Sequence, residues 1–180
     1  MPHPGRSKFL SLILRHDPGR IGITLDQAGW VEVDRLLAGL ARAGEPMSRE
    51  ELEAIVMESD KQRFSISEDG LRIRANQGHS VPVELGYAPL APPARLYHGT
   101  VARFVPAIRA EGLRKGARHD VHLTEAPSTA STVGQRRGRP VILTVRAGEM
   151  AGKGHLFFLS ANGVWLTDHV PVDCIDFPVL

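Results

Sequence analysis

Arg15-His16 closes an apolar-periodic segment and pairs a permanent guanidinium with a side chain that titrates near neutrality. Such a pair can grip a phosphate and move a proton on it, or it can simply cap the last carbonyls of a helix. Arg63, within Asp60-Lys61-Gln62-Arg63-Phe64, stands at the entry to a hairpin, as an anion ligand or as part of a solvated face. Asn76-Gln77-Gly78-His79-Ser80 is a polar turn able to hydrogen-bond a sugar or base, or a plain loop. Tyr97-His98-Gly99-Thr100 is sharper, because its glycine would let the backbone approach a ligand closely. The most basic stretch, Val133-Gly-Gln-Arg136-Arg137-Gly-Arg139-Pro140, could hold an anion through guanidinium forks and backbone N–H groups, or form a solvated turn.

Other chemistries lack their residues. There is no G-x-G-x-x-G, no G-x-x-x-x-G-K-[ST] and no G-x-S-x-G, which disfavours Rossmann, P-loop and serine-hydrolase readings. His119 and His122 are read as lying on a strand with no third ligand, so no metal site is expected. Cys174 is the single cysteine, which excludes an internal disulfide; it is expected to be a small buried residue.

No apolar run approaches the ~20 residues a membrane span needs. The opening Met1-Pro-His-Pro-Gly-Arg6 has no apolar core of a secretory signal, so a cytoplasmic location is expected. The basic side chains are 18 Arg against 4 Lys, and their distribution is uneven. Residues 1–79 carry 11 basic and 12 acidic groups, a net of −1, whereas residues 95–146 carry 10 and 3, a net of +7. Two regions of different electrostatic character follow.

The elements that must position these groups can be read in order. Ser7 caps a helix running to Arg15 that Pro18-Gly19 stops, and Ile23–Leu25 and Trp30–Val33 read as strands. Asp34 caps a helix with Leu36, Leu37 and Leu40 on one face. Ser48-Arg-Glu-Glu51 is a capping box opening a third, and Arg63–Ser67 and Leu71–Ala75 flank a hairpin turn. Three helices and a hairpin are the order of a winged helix. The third helix, however, is acidic and would repel a phosphate backbone. A Pro-rich connector over 81–94 begins with a strand at Ser80–Leu85. Beyond it come a strand at Leu96–His98, a helix at Val101–Glu111, a strand at Val121–Thr124, a helix at Ala126–Arg136 and a strand at Pro140–Val145. Short strands at Leu156–Leu159, Gly163–Leu166 and Val172–Phe177 complete an α+β lobe.

Taken together, these segments resemble the RNA 2′-phosphotransferase family (KptA-type, including the tRNA-splicing 2′-phosphotransferases). The matching stretches in order are Ser7–His16, Asp26–Val31, Asp60–Phe64, Gln77–Ser80, Leu96–Thr100, Val121–Thr124, Val133–Arg136 and Asn162–Asp168. The resemblance implies a winged-helix RNA-binding lobe over 1–80, the connector over 81–94 and an NAD-binding, ADP-ribosyltransferase-like lobe over 95–180. It also implies the reaction. A 2′-phosphate of RNA attacks the anomeric carbon of the nicotinamide ribose and releases nicotinamide. The ribose 2″-hydroxyl then attacks that phosphorus, freeing 2′-hydroxyl RNA and ADP-ribose 1″,2″-cyclic phosphate. NAD is consumed and no hydride moves.

By the same resemblance the catalytic set is Arg15, His16, Arg63 and Arg136, and Tyr97, His98, Gly99, Thr100, His122 and Thr124 line the NAD site. Arg63 and Arg136 are assigned to the phosphate, Arg15 and His16 to the transesterification. The partners are RNA carrying a 2′-phosphate and NAD, without membrane or metal, and the chain is expected to be a monomer. The sequence departs from the family pattern at Arg118-His119-Asp120, where Arg-x-His is common, and at Arg137, where His is common. The alternatives are an ADP-ribosyltransferase acting on terminal phosphates of nucleic acid or on another acceptor, and a non-catalytic winged-helix binding module.

Overall fold

The computed structural model describes residues 4–59 and 61–179, and the chain forms two compact units, one ending at Gly86 and one starting at Tyr87. Each contains helices, strands and an apolar core of its own, so the chain is α+β. Of the Pro-rich stretch over 81–94, residues 81–86 belong to the first unit and the rest to the second.

In the first unit α1 (Pro4–Arg15) buries Leu10, Ile13 and Leu14, the i, i+3, i+4 stripe that faces a core. The helix starts before Ser7, which makes Ser7 an interior residue and not the expected cap. After a 3-10 turn (Pro18–Ile21) come β1 (Val31–Glu32), α2 (Val33–Arg42) and α3 (Arg49–Met57). The cap position of α2 is Glu32, and Asp34 lies in its first turn, where negative charge still suits the helix dipole. At α3 the capping box forms as written: Glu51 N–H donates to Ser48 Oγ at 3.2 Å, and Ser48 N–H donates to Glu51 Oε2 at 2.9 Å.

The hairpin pairs β2 (Phe64–Ile66) with β3 (Arg72–Ala75), and β1 joins the other edge of β3 in antiparallel order β1-β3-β2. Two expected strands do not form. At Ile23–Leu25 the chain is turning: Ile23 N–H bonds back to the Pro18 carbonyl, and Asp26 Oδ1 accepts from Ala28 and Trp30 N–H groups. At Ser80–Leu85 the backbone donors go to the carbonyls of Arg15 and Gln27 and pair with no strand.

The second unit opens with β4 (Leu96–Val101), which runs three residues past the expected end at His98. A 3-10 turn (Ala102–Phe104) and α4 (Val105–Glu111), with proline in its first turn, replace a single helix from Val101. Then follow β5 (Leu113–Arg114), β6 (Val121–Leu123), α5 (Pro127–Gln135) and β7 (Pro140–Val145). The remainder is α6 (Ala147–Gly152), β8 (Phe158–Leu159), β9 (Trp165–Thr167), β10 (His169–Val170) and β11 (Ile175–Asp176). The strand expected over Val172–Phe177 begins instead as a 3-10 turn, Val172–Cys174. Helix α6 and the β5–β10 pair were not expected; none is long enough to show a period.

Strands β4-β7-β11 and β6-β9-β8 form two antiparallel sheets. They are joined at one point, where Tyr97 N–H donates to the Thr124 carbonyl at 2.8 Å and Thr124 N–H returns to Tyr97 at 3.0 Å. Helix α5 lies across β4 at Gly99. A Cβ built on Gly99 would fall 1.7 Å from the Ala130 carbonyl oxygen, and one on Gly134 would fall 2.9 Å from the Thr100 oxygen. The close approach that Gly99 permits on that side is therefore made by the protein's own helix.

Gly99→Ala is expected to destabilise the second unit by about 3 kcal/mol or more, the upper end of the usual overpacking penalty, because backbone yields less than a flexible side chain. Denaturant unfolding read through Trp165 checks this; an unchanged midpoint would contradict the packing described.

Candidate active site

In the first unit, Arg15 ends α1 and His16 follows it, where the helix dipole favours cations. The Arg15 carbonyl is satisfied by loop backbone, accepting from Ser80 N–H at 2.8 Å and Val81 N–H at 3.3 Å. His16 Nδ1 lies 2.9 Å from Ser80 Oγ. Gly78 adopts φ +87, and a Cβ there would be 3.6 Å from Arg15 Nε, so the loop backbone lies flat against the guanidinium stem. The turn Asn76–Ser80, left open by the sequence between ligand and plain loop, is thus a support for Arg15 and His16.

Arg63 is half-buried just before β2. Its Nη1 donates to Ser7 Oγ at 3.3 Å, its N–H to Ser59 Oγ at 3.3 Å, and its carbonyl accepts from Asn76 N–H at 3.0 Å. Ser7 and Arg15 are eight residues apart on α1, on one face of the helix. Arg63 and the Arg15–His16 pair are thereby tied to the same helix and to the two ends of one short loop. Asp60, which opens the Asp60–Phe64 motif, lies outside the described residues. Ser7, Ser59 and Ser80 were missed as partners of the basic groups. Small hydroxyl residues at loop and helix positions carry no signal until the fold places them.

In the second unit, alternation along β4 sends His98 and Thr100 to one face and Gly99 to the other, against α5. His98 and Thr100 line a cleft of about 260 Å3 together with Phe104, Ile108, Glu111 and Arg137. His98 Nδ1 is 3.0 Å from the His122 carbonyl, which can only accept, so Nδ1 carries the proton. Burial, opposed by that hydrogen bond and reinforced by Arg118 and Arg137, pushes the His98 pKa below its ordinary 6.5 and keeps the ring neutral at neutral pH. Thr124 bridges Tyr97 through backbone, and His122 lies on β6 beside it. Tyr97, His98, Thr100, His122 and Thr124 are therefore neighbours, drawn together by one strand pairing.

Arg118 Nη1 donates to His122 Nδ1 at 3.2 Å, which leaves the His122 proton on Nε2. Burial first, then the charges of Arg137 and Arg136, disfavour the cationic form of Arg118. Arg136 sits at the C-cap of α5 and is exposed; Arg137, next along, stacks on Phe104 at 5.8 Å from the ring centroid. Of these two, Arg137 lines the cleft and Arg136 does not. Arg118 and Arg137, both close enough to oppose a charge on His98, would suit an anionic ligand. At about 260 Å3 the cleft is a little smaller than whole small-molecule pockets, which run to about 300–1,000 Å3.

His119 lies in the turn before β6, not on the strand expected, and Cys174 is buried. Among the described residues no three His, Cys, Asp or Glu side chains gather to hold a metal ion, and no helix is long and apolar enough to cross a membrane.

A family model described as RNA 2′-phosphotransferase, Tpt1/KptA family, matches residues 4–169. The chain is similar to proteins named probable RNA 2′-phosphotransferase from several bacteria. That from Streptomyces coelicolor is 56% identical over 172 residues, covering 96% of this chain and 93% of the relative. That from Agrobacterium fabrum is 55% identical over 165 residues, covering 92% and 89%. That from Pseudomonas aeruginosa is 54% identical over 167 residues, covering 92% of each.

The depressed pKa of His98 has a pH consequence of definite sign. The unfolded chain binds this proton at higher pH than the folded one, so the neutral-state advantage is present above 6.5 and is lost as pH falls through the lower folded value. The His98 ring resonances in a 1H–15N titration should shift only below pH 6.5; a midpoint above it would contradict the burial.

Proposed function

The chain belongs to the RNA 2′-phosphotransferase, Tpt1/KptA family, and from that membership we propose that it removes an internal 2′-phosphate from RNA by transferring it to NAD. The transfer passes through an ADP-ribosylated RNA intermediate and yields 2′-hydroxyl RNA, ADP-ribose 1″,2″-cyclic phosphate and nicotinamide. The observation that supports the reading is the match of nearly the whole chain, at more than half identity, to relatives named probable RNA 2′-phosphotransferase. In this reading the first unit is a winged-helix RNA-binding lobe and the second an ADP-ribosyltransferase-like lobe that binds NAD. The enzyme works as a cytoplasmic monomer on RNA bearing a 2′-phosphate, of the kind met in tRNA splicing.

NAD supplies an anomeric carbon whose leaving group departs as neutral nicotinamide. Tyr97, His98, Thr100, His122 and Thr124 hold it, and Gly99 serves by keeping α5 closed on β4. A neutral His98 orients the ligand by hydrogen bonding and adds no charge to the Arg118, Arg136 and Arg137 group. Arg63 and Arg136 grip the RNA phosphate, whose equatorial oxygens gain charge when the phosphorus becomes five-coordinate; fixed guanidinium forks stabilise that charge. Arg15 and His16 act in the second step. With Nδ1 engaged by Ser80, His16 exchanges its proton at Nε2, taking it from the attacking 2″-hydroxyl and returning it to the departing 2′-oxygen of RNA.

The test is incubation with a 2′-phosphorylated oligoribonucleotide, with and without NAD, followed by mass analysis. Phosphate loss should require NAD, and a stable ADP-ribosyl product from the unaltered protein would favour an ADP-ribosyltransferase instead. Arg15→Ala, His16→Ala, Arg63→Ala and Arg136→Ala should each slow turnover on the order of 10²- to 10³-fold. At least one should accumulate ADP-ribosylated RNA. Equal loss of both steps in all four would contradict the division of labour.

A further inference from the structure

Asn76, which opens the turn that supports Arg15 and His16, has no task of its own in the reaction as described, yet it anchors a buried polar network. Asn76 is 1% exposed at the end of β3. Its Oδ1 accepts from Ser65 Oγ at 2.6 Å, its Nδ2 donates to the Gln62 carbonyl at 2.5 Å, and its N–H donates to the Arg63 carbonyl at 3.0 Å. Gln62 has φ +40, the only non-glycine residue with positive φ among those described. A non-glycine side chain rarely adopts this conformation, and it persists only where the surroundings over-determine it. Here the side-chain amide of Asn76 grips the carbonyl of the strained residue, and its backbone grips the next one. Both peptide groups flanking Arg63 on its N-terminal side and at its own carbonyl are thus held by one buried residue.

We propose that Asn76 is a positioning residue for Arg63: by clamping the left-handed Gln62 and the Arg63 carbonyl, it aims the guanidinium at the 2′-phosphate. The inference rests on the role given to Arg63 above. A free loop at this point would let Gln62 relax to negative φ and rotate the following side chain away. An asparagine suits the task because it offers a donor and an acceptor on one short, rigid group; aspartate would turn a carboxylate toward the Gln62 carbonyl.

The test compares wild type, Asn76→Ala, Arg63→Ala and the double variant in two measurements. One is kcat and KM for phosphate removal at saturating NAD. The other is the affinity ratio, without NAD, for the same oligoribonucleotide carrying a 2′-phosphate or a 2′-hydroxyl. Asn76→Ala should lower kcat by roughly 10²-fold, the scale of a small misplacement of a reacting group. The double variant should be no slower than Arg63→Ala alone, and the affinity preference for the phosphate should fall alike in both single variants. Losses that multiply in the double variant, or a preference retained in Asn76→Ala, would overturn the proposal. Should Asn76→Ala fail to fold, Ser65→Ala removes only the 2.6 Å hydroxyl bond and should reduce kcat about tenfold, again with no further loss in the Arg63→Ala background. Absence of turnover in wild type would sink the proposed reaction, while the affinity ratio would still report on how Arg63 is held.

Discussion

Strand β4 cannot tolerate a side chain at Gly99, and much of the second unit follows from that constraint. Because the Ala130 carbonyl occupies the place of a Cβ, α5 lies against the strand at backbone distance. That contact fixes where α5 ends, and hence where Arg136 and Arg137 begin. The opposite face of the same strand presents His98 and Thr100 to the cleft. Its register with β7, from Leu96↔Val145 to Val101↔Pro140, leaves the other edge for the single bridge to Thr124, which brings β6 and His122 alongside. One glycine contact and one ladder thus assemble groups from residues 97 to 137.

In the first unit the corresponding constraint is the need to satisfy backbone at the ends of short elements. The carbonyl at the end of α1 and the carbonyls of Gln62 and Arg63 meet their donors in the segment 76–81. Leaving such groups unpaired in a half-buried place would cost about 1–3 kcal/mol each. The loop that satisfies them also immobilises the basic side chains on either side of it. Support of backbone and placement of charge are the same set of bonds.

The electrostatics explain why arginine, not lysine, dominates these positions. Guanidinium groups keep their charge when gathered and partly buried, whereas a lysine in the place of Arg118 would shed its proton more readily. Arg136 and Arg137 repel Arg118, and an anion placed beside it would relieve that repulsion. The buried histidine beside them takes the neutral form, which spares the group a fourth positive charge. The ion pairs of the second unit at Lys115–Asp168 and Arg114–Glu111 lie on exposed side chains and contribute little by comparison.

Long periodic segments were legible in the sequence: the apolar stripe of α1, the capping box of α3, the β2–β3 hairpin, and β7 from Pro140 to Val145. So were the basic and histidine side chains themselves, because charge and titration are properties of residue type. Pieces of two or three residues, β5, β8 and β10, were not, since no period exists at that length. The strands expected at Ile23–Leu25 and Ser80–Leu85 had the right composition, but their donors found carbonyls elsewhere in the fold. What the residues by themselves determined was the chemistry available: guanidinium forks and an imidazole able to transfer a proton. Which of those groups stand beside one another was decided by tertiary structure alone. A hydroxyl at Ser7 or Ser80, an amide at Asn76 and the missing side chain at Gly99 take on their roles only through distant backbone, and contacts between residues far apart in the chain are not encoded at any local spacing.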